Sequence, residues 1–492
     1  MKVAIAAPNP AAADAGRAIV EAGGNAIDAA LAAAFVTMVN EVGIVSPSAG
    51  GFITIQPPGG GAPLTVDGWM DMPGRDTSDR LGSGTWDVDT AYGGGVTVTI
   101  GPGSVATHGA IAAFGEVHAR WGSLPWAELL APAIDVARGG FELGGASRFY
   151  LEYVHDTIFG WDEASAAAVH DAHGAIATGT VVVPDLAHSL ELVARHGAQE
   201  LFTGELGHAI AEDIVDRGGI LGPADLAAYS PVTRPALTAR MERWTLGTNP
   251  PPAVGGVCVA AMFRLMAGHG LDDRDHLVAV QRRVLGERLR VFDHTDDLER
   301  DAAAFLDLVD RDGLGVLESG STAHISTTDT DGTACALTIS SGYSSGMIAR
   351  GTGIWLNNCL GEQELNPRGL HGLPAGTRLL SNMAPTVGRH ADGGVLAIGS
   401  PGADRITTAI VQALTGLVED ELSLQHAVDH PRLHVHRAGR PDEEIKVEDP
   451  DALTMYFGGV GATLCTADGR LVAAADPRRD GATRVAEAGH RA

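Results

Sequence analysis

The sequence predicts an α/β protein built in layers, and three observations support that prediction. Helical and extended periodicities are mixed in the first part of the chain, helices dominate the middle, and strands dominate the end. The chain shows neither the strand–helix alternation of a Rossmann fold nor an internal repeat of fixed period. Of the 492 residues, 45% are apolar and 19% are charged, which excludes a disordered chain and allows a sizeable core.

The first part of the chain predicts two helices followed by a hairpin. Apolar residues recur at helical spacing from Pro10 to Asn40, and Gly23-Gly24 interrupts them. We therefore expect a helix, a glycine turn and a second helix. Alternating residues at Phe52–Ile55 and Leu64–Val66 flank a Pro/Gly turn, which is typical of a β-hairpin.

The middle of the chain is predicted to be helical. Helical periodicity with few β-branched residues marks Pro125–Gly140, Asp185–Arg217, Glu205–Tyr229 and Val278–Leu308. The segment Asn249–Gly256 (NPPPAVGG) lacks several backbone donors and predicts an irregular loop before the last of these helices.

The last part of the chain is predicted to be rich in strands. Ala323–Ile339 contains two β-rich runs joined by a Thr-Asp-Gly turn at 330–332, which is a strong hairpin signal. We further predict strands at Val395–Ile398, Ile445–Val447 and Ala462–Leu464, and a helix at Thr407–Leu422.

Charge composition limits the partners of the protein. The chain has 34 Lys and Arg residues against 61 Asp and Glu residues, which gives a formal net charge of −27. A field of this sign repels nucleic acids and anionic membranes, and no run of Lys or Arg offsets it. We therefore expect a small-molecule substrate, with no nucleic acid and no membrane as partner.

Cysteine usage and the N-terminus favour a cytoplasmic location. The four cysteines lie far apart without the CxxC spacing of zinc or redox sites, so we expect reduced thiols. They are Cys258, Cys335, Cys359 and Cys465. Pro8 comes before any long apolar segment develops, and no uncharged apolar stretch of about 18 residues follows. We expect a soluble, cytoplasmic protein.

Thr322 is a candidate nucleophile, because it stands at the start of the predicted late hairpin. A threonine hydroxyl is a poor nucleophile on its own. Cleavage of the Ser321–Thr322 bond would supply an α-amino group, with a pKa of about 7.7 to 8.0, as its base. The alternative is that Thr322 is simply a β-former entering a strand.

Two neighbouring patterns compete for a catalytic role. The G-x-S-x-G sequence at 342–346 offers Ser344, but a nucleophile elbow opens directly into a helix. The residues that follow lack an amphipathic period, so we predict a glycine-rich loop. His324 could share the strand face of Thr322, but we favour a packing role for it because the α-amino group can supply the base.

A metal or nucleotide cofactor is not expected. His426, His430, His434 and His436 are dense enough for a divalent metal site, but Pro431 interrupts the helix that would align their imidazoles. The glycine pairs match neither the G-x-G-x-x-G dinucleotide pattern nor a phosphate-binding loop.

Nine blocks of sequence, in the family's order, resemble the γ-glutamyltransferase family of N-terminal nucleophile hydrolases. The opening block is AAADAGRAIVEAGGNAIDAALAAAF, with the family's GGNA-x-DA signature. The other blocks are Gly101–Ser104, Ala131–Ala133 with Gly139–Phe141, Leu201–Gly204, Pro251–Gly256, Thr322–Gly332, Leu356–Asn358, Met383–Thr386 and Gly399–Ile406. Together they span residues 10 to about 450 and are specific as a set.

The resemblance implies the fold and the maturation of the protein. It implies a four-layer αββα sandwich and a zymogen that cleaves itself before Thr322. The products are a helix-rich large chain, 1–321, and a strand-rich small chain, 322–492. Both chains share the sheets and stay together as a heterodimer in one integrated domain.

The resemblance also assigns the catalytic groups. The family's second catalytic hydroxyl lies eighteen residues beyond the nucleophile and falls on Ser340. The oxyanion hole falls on the backbone amides of Gly402 and Ala403. Ser381 and Asn382 match the small polar pair that holds a substrate carboxylate.

Three positions bear on the choice of substrate. Trp69 stands where the family has an Arg that clamps the glutamyl carboxylate, and an indole cannot replace that charged fork. Cys359 and Glu362 align with the residues that bind the substrate ammonium, and only Glu362 keeps a carboxylate. We expect acyl chemistry at Thr322 with changed recognition of the glutamyl head group.

The resemblance implies cleavage of an amide through a threonyl ester, without cofactor or metal. The acyl donor is a γ-glutamyl compound or a related amide, and the acceptor is water or an amine. Two alternatives stay open. One is a specialised pathway hydrolase of the same family, either an amide acylase or a carbon–carbon bond hydrolase. The other is a catalytically degenerate scaffold.

Overall fold

A computed structural model describes residues 1–92, 95–312, 322–402, 405–436 and 441–489. The α-helices in these ranges are α1 (Pro10–Glu21), α2 (Ala26–Asn40), α3 (Ala110–Trp121), α4 (Trp126–Gly139), α5 (Gly145–Val154), α6 (Glu163–Val169), α7 (Leu186–His196), α8 (Glu205–Asp216), α9 (Pro223–Ala228), α10 (Val254–Leu265), α11 (Arg274–Glu287), α12 (Leu298–Asp312), α13 (Arg405–Val418) and α14 (Leu424–Asp429).

The strands in the same ranges are β1 (Lys2–Ala7), β2 (Gly50–Gln56), β3 (Leu64–Gly68), β4 (Trp86–Thr90), β5 (Val96–Ile100), β6 (Phe141–Glu142), β7 (Thr180–Val181), β8 (Val232–Pro235), β9 (Leu237–Met241), β10 (Trp244–Thr248), β11 (Ala323–Asp329), β12 (Ala334–Ser340), β13 (Thr386–His390), β14 (Val395–Gly399), β15 (Leu433–His436), β16 (Glu444–Val447), β17 (Gly461–Cys465), β18 (Leu471–Ala475) and β19 (Ala482–Glu487).

Two antiparallel sheets form the centre of the fold. Their strand orders are β19-β1-β11-β12-β2-β3-β8 and β18-β17-β14-β13-β10-β9. Strands of the first sheet contact strands of the second face to face, as in β11 with β17 and β12 with β14. Helices α1, α2 and α3 cover the first sheet, and α10, α13 and α14 cover the second. The four-layer αββα sandwich expected from the sequence is confirmed.

Both sheets combine strands from before residue 313 and after residue 321. In the seven-stranded sheet, β11 and β12 lie between β1 and β2, and β19 pairs with the outer edge of β1. In the six-stranded sheet, β10 pairs with β13. The two parts of the sequence therefore share one hydrogen-bonded framework.

The buried helix α2 supports the first sheet. Every residue from Ala26 to Asn40 is buried, because its sequence is apolar on all sides and its small alanines allow close packing. The helix starts with a capping box: Asn25 Oδ1 accepts the Asp28 amide at 3.0 Å, and the Asp28 carboxylate accepts the Asn25 amide at 3.0 Å.

The early helix pair, the first hairpin and the late hairpin are confirmed at their predicted positions. The predicted helical segments are interrupted more often than expected. A 3₁₀ turn at Ala198–Leu201 separates α7 from α8, and a π-helical turn at Arg288–Phe292 follows α11. Glycine at 218, with φ of 89°, ends the segment after α8.

Several strands were not predicted. They are β1, β4, β5, β6, β7, β8, β9, β10, β13, β15, β18 and β19. The predicted thiols are confirmed as four buried, unpaired cysteines. Across the described ranges, no helix has the length and apolarity needed to cross a bilayer.

Glu41, the residue that follows α2, has a buried carboxyl group. Asn9 Nδ2 donates to Glu41 Oε1 at 2.7 Å, and Ser147 Oγ lies 3.5 Å from Glu41 Oε2. Burial raises the pKa of Glu41 to about 7, although the Asn9 hydrogen bond and the charge of Arg479 act in the opposite direction. The folded protein thus holds a proton that an unfolded chain has already lost at neutral pH.

We expect Glu41→Gln to reduce the loss of stability on going from pH 5 to pH 8. The raised pKa makes unfolding easier as the pH rises from about 4.5 towards 7, because the unfolded carboxyl ionises first. Removing this proton linkage should recover about 1 to 3 kcal/mol of unfolding free energy at pH 8 relative to pH 5.

Urea denaturation at pH 5, 7 and 8 measures the effect. Glu152→Gln, on the exposed side of α5, is the matched control and should leave the pH dependence unchanged. Equal pH dependence in the wild type and Glu41→Gln would contradict the prediction.

Candidate active site

Thr322 and Ser340 lie side by side at one end of the central hairpin. In the antiparallel register Ala323 pairs with Ile339, so the next position on each strand brings Thr322 opposite Ser340. Both residues are buried, with 2% of each exposed. The eighteen-residue spacing noted in the sequence is therefore the spacing that this hairpin closes.

A small cleft opens beside these two hydroxyl groups. It is lined by Trp69, Thr322, Ser340, Glu362, Leu365, Ser381, Asn382 and Met383. Six of these residues were predicted from the sequence as catalytic or substrate-binding. Leu365 and Met383 were missed, because an apolar residue that lines a cavity has the same sequence pattern as one that fills a core.

Trp69 forms an aromatic wall of the cavity. Its indole N–H donates to the Leu380 carbonyl at 2.9 Å, and its ring stacks on Phe52 with centroids 6.1 Å apart. Gly50 makes room for the ring, since a Cβ there would lie 2.8 Å from Trp69 Cε3. The indole donor is occupied, so it does not offer a substitute for a carboxylate-binding guanidinium.

Distant residues hold the Trp69 backbone in place. Arg378 Nη1 and the Tyr229 hydroxyl both donate to the Trp69 carbonyl at 2.6 Å. Arg378 Nε also lies 3.0 Å from Asp71 Oδ1. Burial raises the pKa of Asp71 to about 6, with Arg378 opposing the shift. Sequence reasoning missed this support, because Arg378 and Trp69 are 309 residues apart.

Asn382 lines the cavity with a buried side-chain amide. It is 3% exposed, and among the described residues neither its side-chain oxygen nor its side-chain nitrogen has a hydrogen-bond partner. The adjacent Ser381 is anchored, because its carbonyl accepts the backbone amides of Val254 and Gly255 at the start of α10. An amide held rigidly in this way can donate to and accept from a bound molecule.

Glu362 also lines the cavity and is 2% exposed. Its position depends on Gly342, where φ is 67° and a Cβ would lie 3.0 Å from Glu362 Oε1. Cys359 does not line the cavity. Its buried thiol is close to Glu362, and burial together with that carboxylate raises the thiol pKa.

Asn357 fixes the loop that carries Glu362. Its Oδ1 accepts the amides of Ala106 and Cys359, and its Nδ2 donates to the Ser48 carbonyl, the Ser48 hydroxyl and the Ala106 carbonyl at 3.0 to 3.1 Å. A buried side chain with all of its hydrogen-bonding capacity used has a structural role. Asn357 differs in this respect from Asn382, whose side-chain amide has no hydrogen-bond partner among the described residues.

His324 has the packing role that we favoured. Its Nδ1 lies 2.7 Å from Thr338 Oγ1 and its Nε2 lies 2.8 Å from Ser326 Oγ. Burial lowers its pKa to about 3. Gly399 on β14 accommodates the ring, since any Cβ there would collide with it. Both nitrogens are engaged away from Thr322, so His324 is not placed to act as its base.

Gly402, one of the two predicted oxyanion residues, is not among the described residues that line the cavity. Gly402 lies in the turn between β14 and α13 with φ of 122°, and a Cβ there would lie 2.6 Å from Gly458 Cα. Ala403 and Ser321 lie outside the described residues. The oxyanion role of Gly402 and Ala403 stays a prediction.

The competing patterns do not assemble a site. No helix begins after Ser344, whose hydroxyl donates to the Leu356 carbonyl at 3.3 Å, so the predicted loop is confirmed. The four histidines at 426, 430, 434 and 436 do not join any group of three or more metal-ligating side chains in the described ranges.

Comparison with known proteins places the whole chain in one family. The family model for gamma-glutamyltranspeptidase matches residues 12–292 and 291–486. Acylase ACY 1 proenzyme of Pseudomonas sp. (strain SE83) is 29% identical, with 98% of this chain and 93% of that protein covered. Glutathione hydrolase proenzyme of Escherichia coli (strain K12) is 26% identical, with 96% and 90% covered.

A solved structure supports the fold independently. The crystal structure of cephalosporin acylase from Bacillus halodurans superposes with a TM-score of 0.82 at 21% identity, covering 99% of this chain and 96% of that one. The profile match, the two relatives and the four-layer fold agree. The chain belongs to the γ-glutamyltranspeptidase family of N-terminal nucleophile hydrolases and is a γ-glutamyltransferase-like acyltransferase or hydrolase.

Proposed function

We propose that the protein is made as a precursor, cleaves its own Ser321–Thr322 bond and uses Thr322 as an N-terminal nucleophile on an amide substrate. The observation that carries the proposal is the hairpin register that brings Thr322 beside Ser340 in a cavity with Asn382. The word proenzyme in the names of both relatives agrees with a cleaved precursor.

Maturation requires the Thr322 hydroxyl to act on its own chain. Thr322 Oγ1 attacks the Ser321 carbonyl carbon, the C–N bond breaks, and an ester replaces the peptide bond while the nitrogen becomes an amine. Water then hydrolyses the ester and releases a carboxylate at Ser321. The new α-amino group has a pKa near neutrality and can accept the proton of the hydroxyl in later turnovers.

The same hydroxyl then performs amide cleavage. It attacks the substrate carbonyl, the amine leaves with a proton from the α-ammonium group, and a threonyl ester forms. Water or a second amine attacks that ester and releases the acyl group. Ser340 holds the nucleophile by hydrogen bonding, and the amides of Gly402 and Ala403 are predicted to stabilise the oxyanion.

The cavity walls favour an acyl group other than an ordinary γ-glutamyl head group. Asn382 and Glu362 offer polar contacts at the walls, whereas Trp69 presents an aromatic surface with its N–H already occupied. Loss of a guanidinium fork removes the strongest contact for a carboxylate. We therefore favour an amide acylase that uses γ-glutamyltransferase chemistry, and the Pseudomonas relative named an acylase supports this choice.

The setting of the reaction stays a prediction. The proposed donor is a small molecule, the proposed acceptor is water or an amine, and the proposed location is cytoplasmic. Neither nucleic acid nor membrane is part of the proposed reaction.

Maturation gives the first prediction for this site. We expect purified wild-type protein to separate in denaturing electrophoresis into fragments 1–321 and 322–492, with N-terminal sequencing of the smaller fragment starting at Thr322. Thr322→Ala removes the attacking hydroxyl and should give one full-length chain. Thr322→Ser keeps a hydroxyl and should still cleave.

Ser340→Ala should slow cleavage rather than abolish it, because it removes a supporting hydroxyl and not the nucleophile. Active wild-type protein with a single full-length chain, or cleavage that survives Thr322→Ala, would rule out the proposed maturation.

The second prediction is that substitution of Asn382 lowers activity, whereas substitution of Asn357 lowers stability. Asn382→Ala should lower kcat/KM by about 10- to 100-fold, through loss of one or two substrate hydrogen bonds, with little change in stability. Asn357→Ala should cost about 2 to 4 kcal/mol of unfolding free energy, because it leaves several buried backbone groups unpaired.

Steady-state kinetics and urea denaturation of the two variants distinguish the roles. Marked destabilisation by Asn382→Ala with unchanged kcat/KM would show that Asn382 is structural.

Substrate preference gives the third prediction. We expect wild-type kcat/KM for butyryl anilide to equal or exceed that for γ-glutamyl anilide, since the two share a chain length and differ in the charged head group. Trp69→Arg should shift the ratio towards the γ-glutamyl substrate by about 10- to 100-fold, the value of a charge-assisted contact.

Trp69→Phe keeps an aromatic wall and is the control. A wild-type preference for γ-glutamyl anilide above about 100-fold would overturn the acylase choice while leaving the nucleophile proposal intact.

A further inference from the structure

Two histidines and an aspartate meet at the ends of α5 and α6. His155 caps the C-terminus of α5, Asp156 follows it, and His170 caps the C-terminus of α6. One ligand atom from each residue lies within 4.8 Å of the others. The proposed mechanism uses none of these residues.

The three ligand atoms form a triangle of the size that a tetrahedral metal site requires. His155 Nδ1 lies 2.9 Å from His170 Nε2, and Asp156 Oδ1 lies 3.3 Å from the first and 3.6 Å from the second. A tetrahedral site with metal–ligand distances of about 2.0 to 2.1 Å has edges of about 3.3 Å. An ion about 2.05 Å from all three atoms would lie about 0.7 Å from their plane, as in a regular tetrahedron.

The hydrogen bonding of His170 leaves the correct nitrogen for a metal. Its Nδ1 lies 3.1 Å from the Ala166 carbonyl, so Nδ1 carries the proton and Nε2 presents a lone pair to the cluster. A ligating imidazole that donates its other N–H to a backbone carbonyl is the usual second-shell arrangement in metal sites. His155 Nδ1 donates a hydrogen bond to this lone pair at 2.9 Å, and a bound ion would take the place of that proton between the two rings.

We propose that His155, Asp156 and His170 bind one divalent ion of the zinc class. His155 Nδ1, Asp156 Oδ1 and His170 Nε2 are the ligands. The fourth position is open to water, because the Asp156 side chain is 78% exposed and leaves the ion accessible. Two imidazoles and one carboxylate form a ligand set that suits Zn²⁺ better than Mg²⁺ or Ca²⁺.

The bound ion would fasten the connection between α5 and α6. That connection packs against the loop that follows Ser340: Trp161 Nε1 donates to the Ser345 carbonyl at 3.2 Å, and Gly346 lies against the Ile158 carbonyl so closely that no Cβ fits. The ion therefore acts as a structural clip behind a loop near the active site, and no catalytic step passes through it.

A second cluster of the same composition serves as the internal control. His269 and His276 stack in parallel, with centroids 3.6 Å apart and an interplanar angle of 12°. Parallel rings do not direct two lone pairs at one point. His276 Nε2 also lies 2.8 Å from the Leu265 carbonyl, and His269 Nδ1 lies 2.9 Å from Asp273 Oδ2.

The test uses the full-length protein freed of metal with a chelator and then titrated with ZnCl₂ or CoCl₂ at pH 7.5. We expect one equivalent to bind, with the visible absorption of tetrahedral Co²⁺ and a rise in Tm on addition of Zn²⁺. His170→Ala and Asp156→Asn should each weaken binding by at least about 100-fold and abolish the rise in Tm.

Asp156→Asn keeps an exposed, isosteric side chain, so its effect does not depend on the folding of a core variant. His276→Ala should bind as the wild type does. Unchanged affinity in His170→Ala and Asp156→Asn, or absence of a Co²⁺ absorption band in the wild type, would overturn the proposal. Thr322→Ala should bind the ion normally, which separates this site from the proposed catalysis.

Discussion

The pairing of β11 with β12 places Thr322 and Ser340 at the same end of two neighbouring strands inside the seven-stranded sheet. Strands β1 and β2 flank the hairpin, so its backbone groups are bonded on both sides. A slip of one residue would turn every side chain of a strand to the opposite face. This register therefore fixes both the burial of Thr322 and the residue, Ser340, that lies opposite it.

The remainder of the cavity is built by loops that the sheet alone could not hold. Asn357 ties the loop before Glu362 to two other segments through five hydrogen bonds, and Gly342 allows the close approach of the carboxylate. Buried polar networks of this kind are specific only when every group is satisfied. In contrast to these bonded groups, the side-chain amide of Asn382 has no hydrogen-bond partner among the described residues, which is why we propose that it binds the substrate.

Local patterns predicted the two strands that bring Thr322 and Ser340 together. The turn at 330–332 and the alternating residues around it identified the hairpin, and the family spacing then identified Ser340. Strands such as β1 and β19 escaped prediction, because a short apolar run such as KVAIAA does not distinguish strand from helix without its neighbours. The support of Trp69 by Arg378 is a contact between remote segments and leaves no mark in either local sequence. The oxyanion role of Gly402 came from the family resemblance alone and stays a prediction.

The interleaving of strands would affect whether a cleaved protein can refold. β11 and β12 lie between β1 and β2, and β10 pairs with β13, so each part of the sequence completes sheets begun by the other. The uncleaved precursor folds into this arrangement as one covalent chain, in which residues 313–321 link the two parts. Once the tether is cut, any complete unfolding would turn reassembly into an encounter of two separate polypeptides that depends on their concentration. Only the uncleaved precursor would then fold as a single chain. The lifetime of the cleaved protein would depend on how slowly it unfolds.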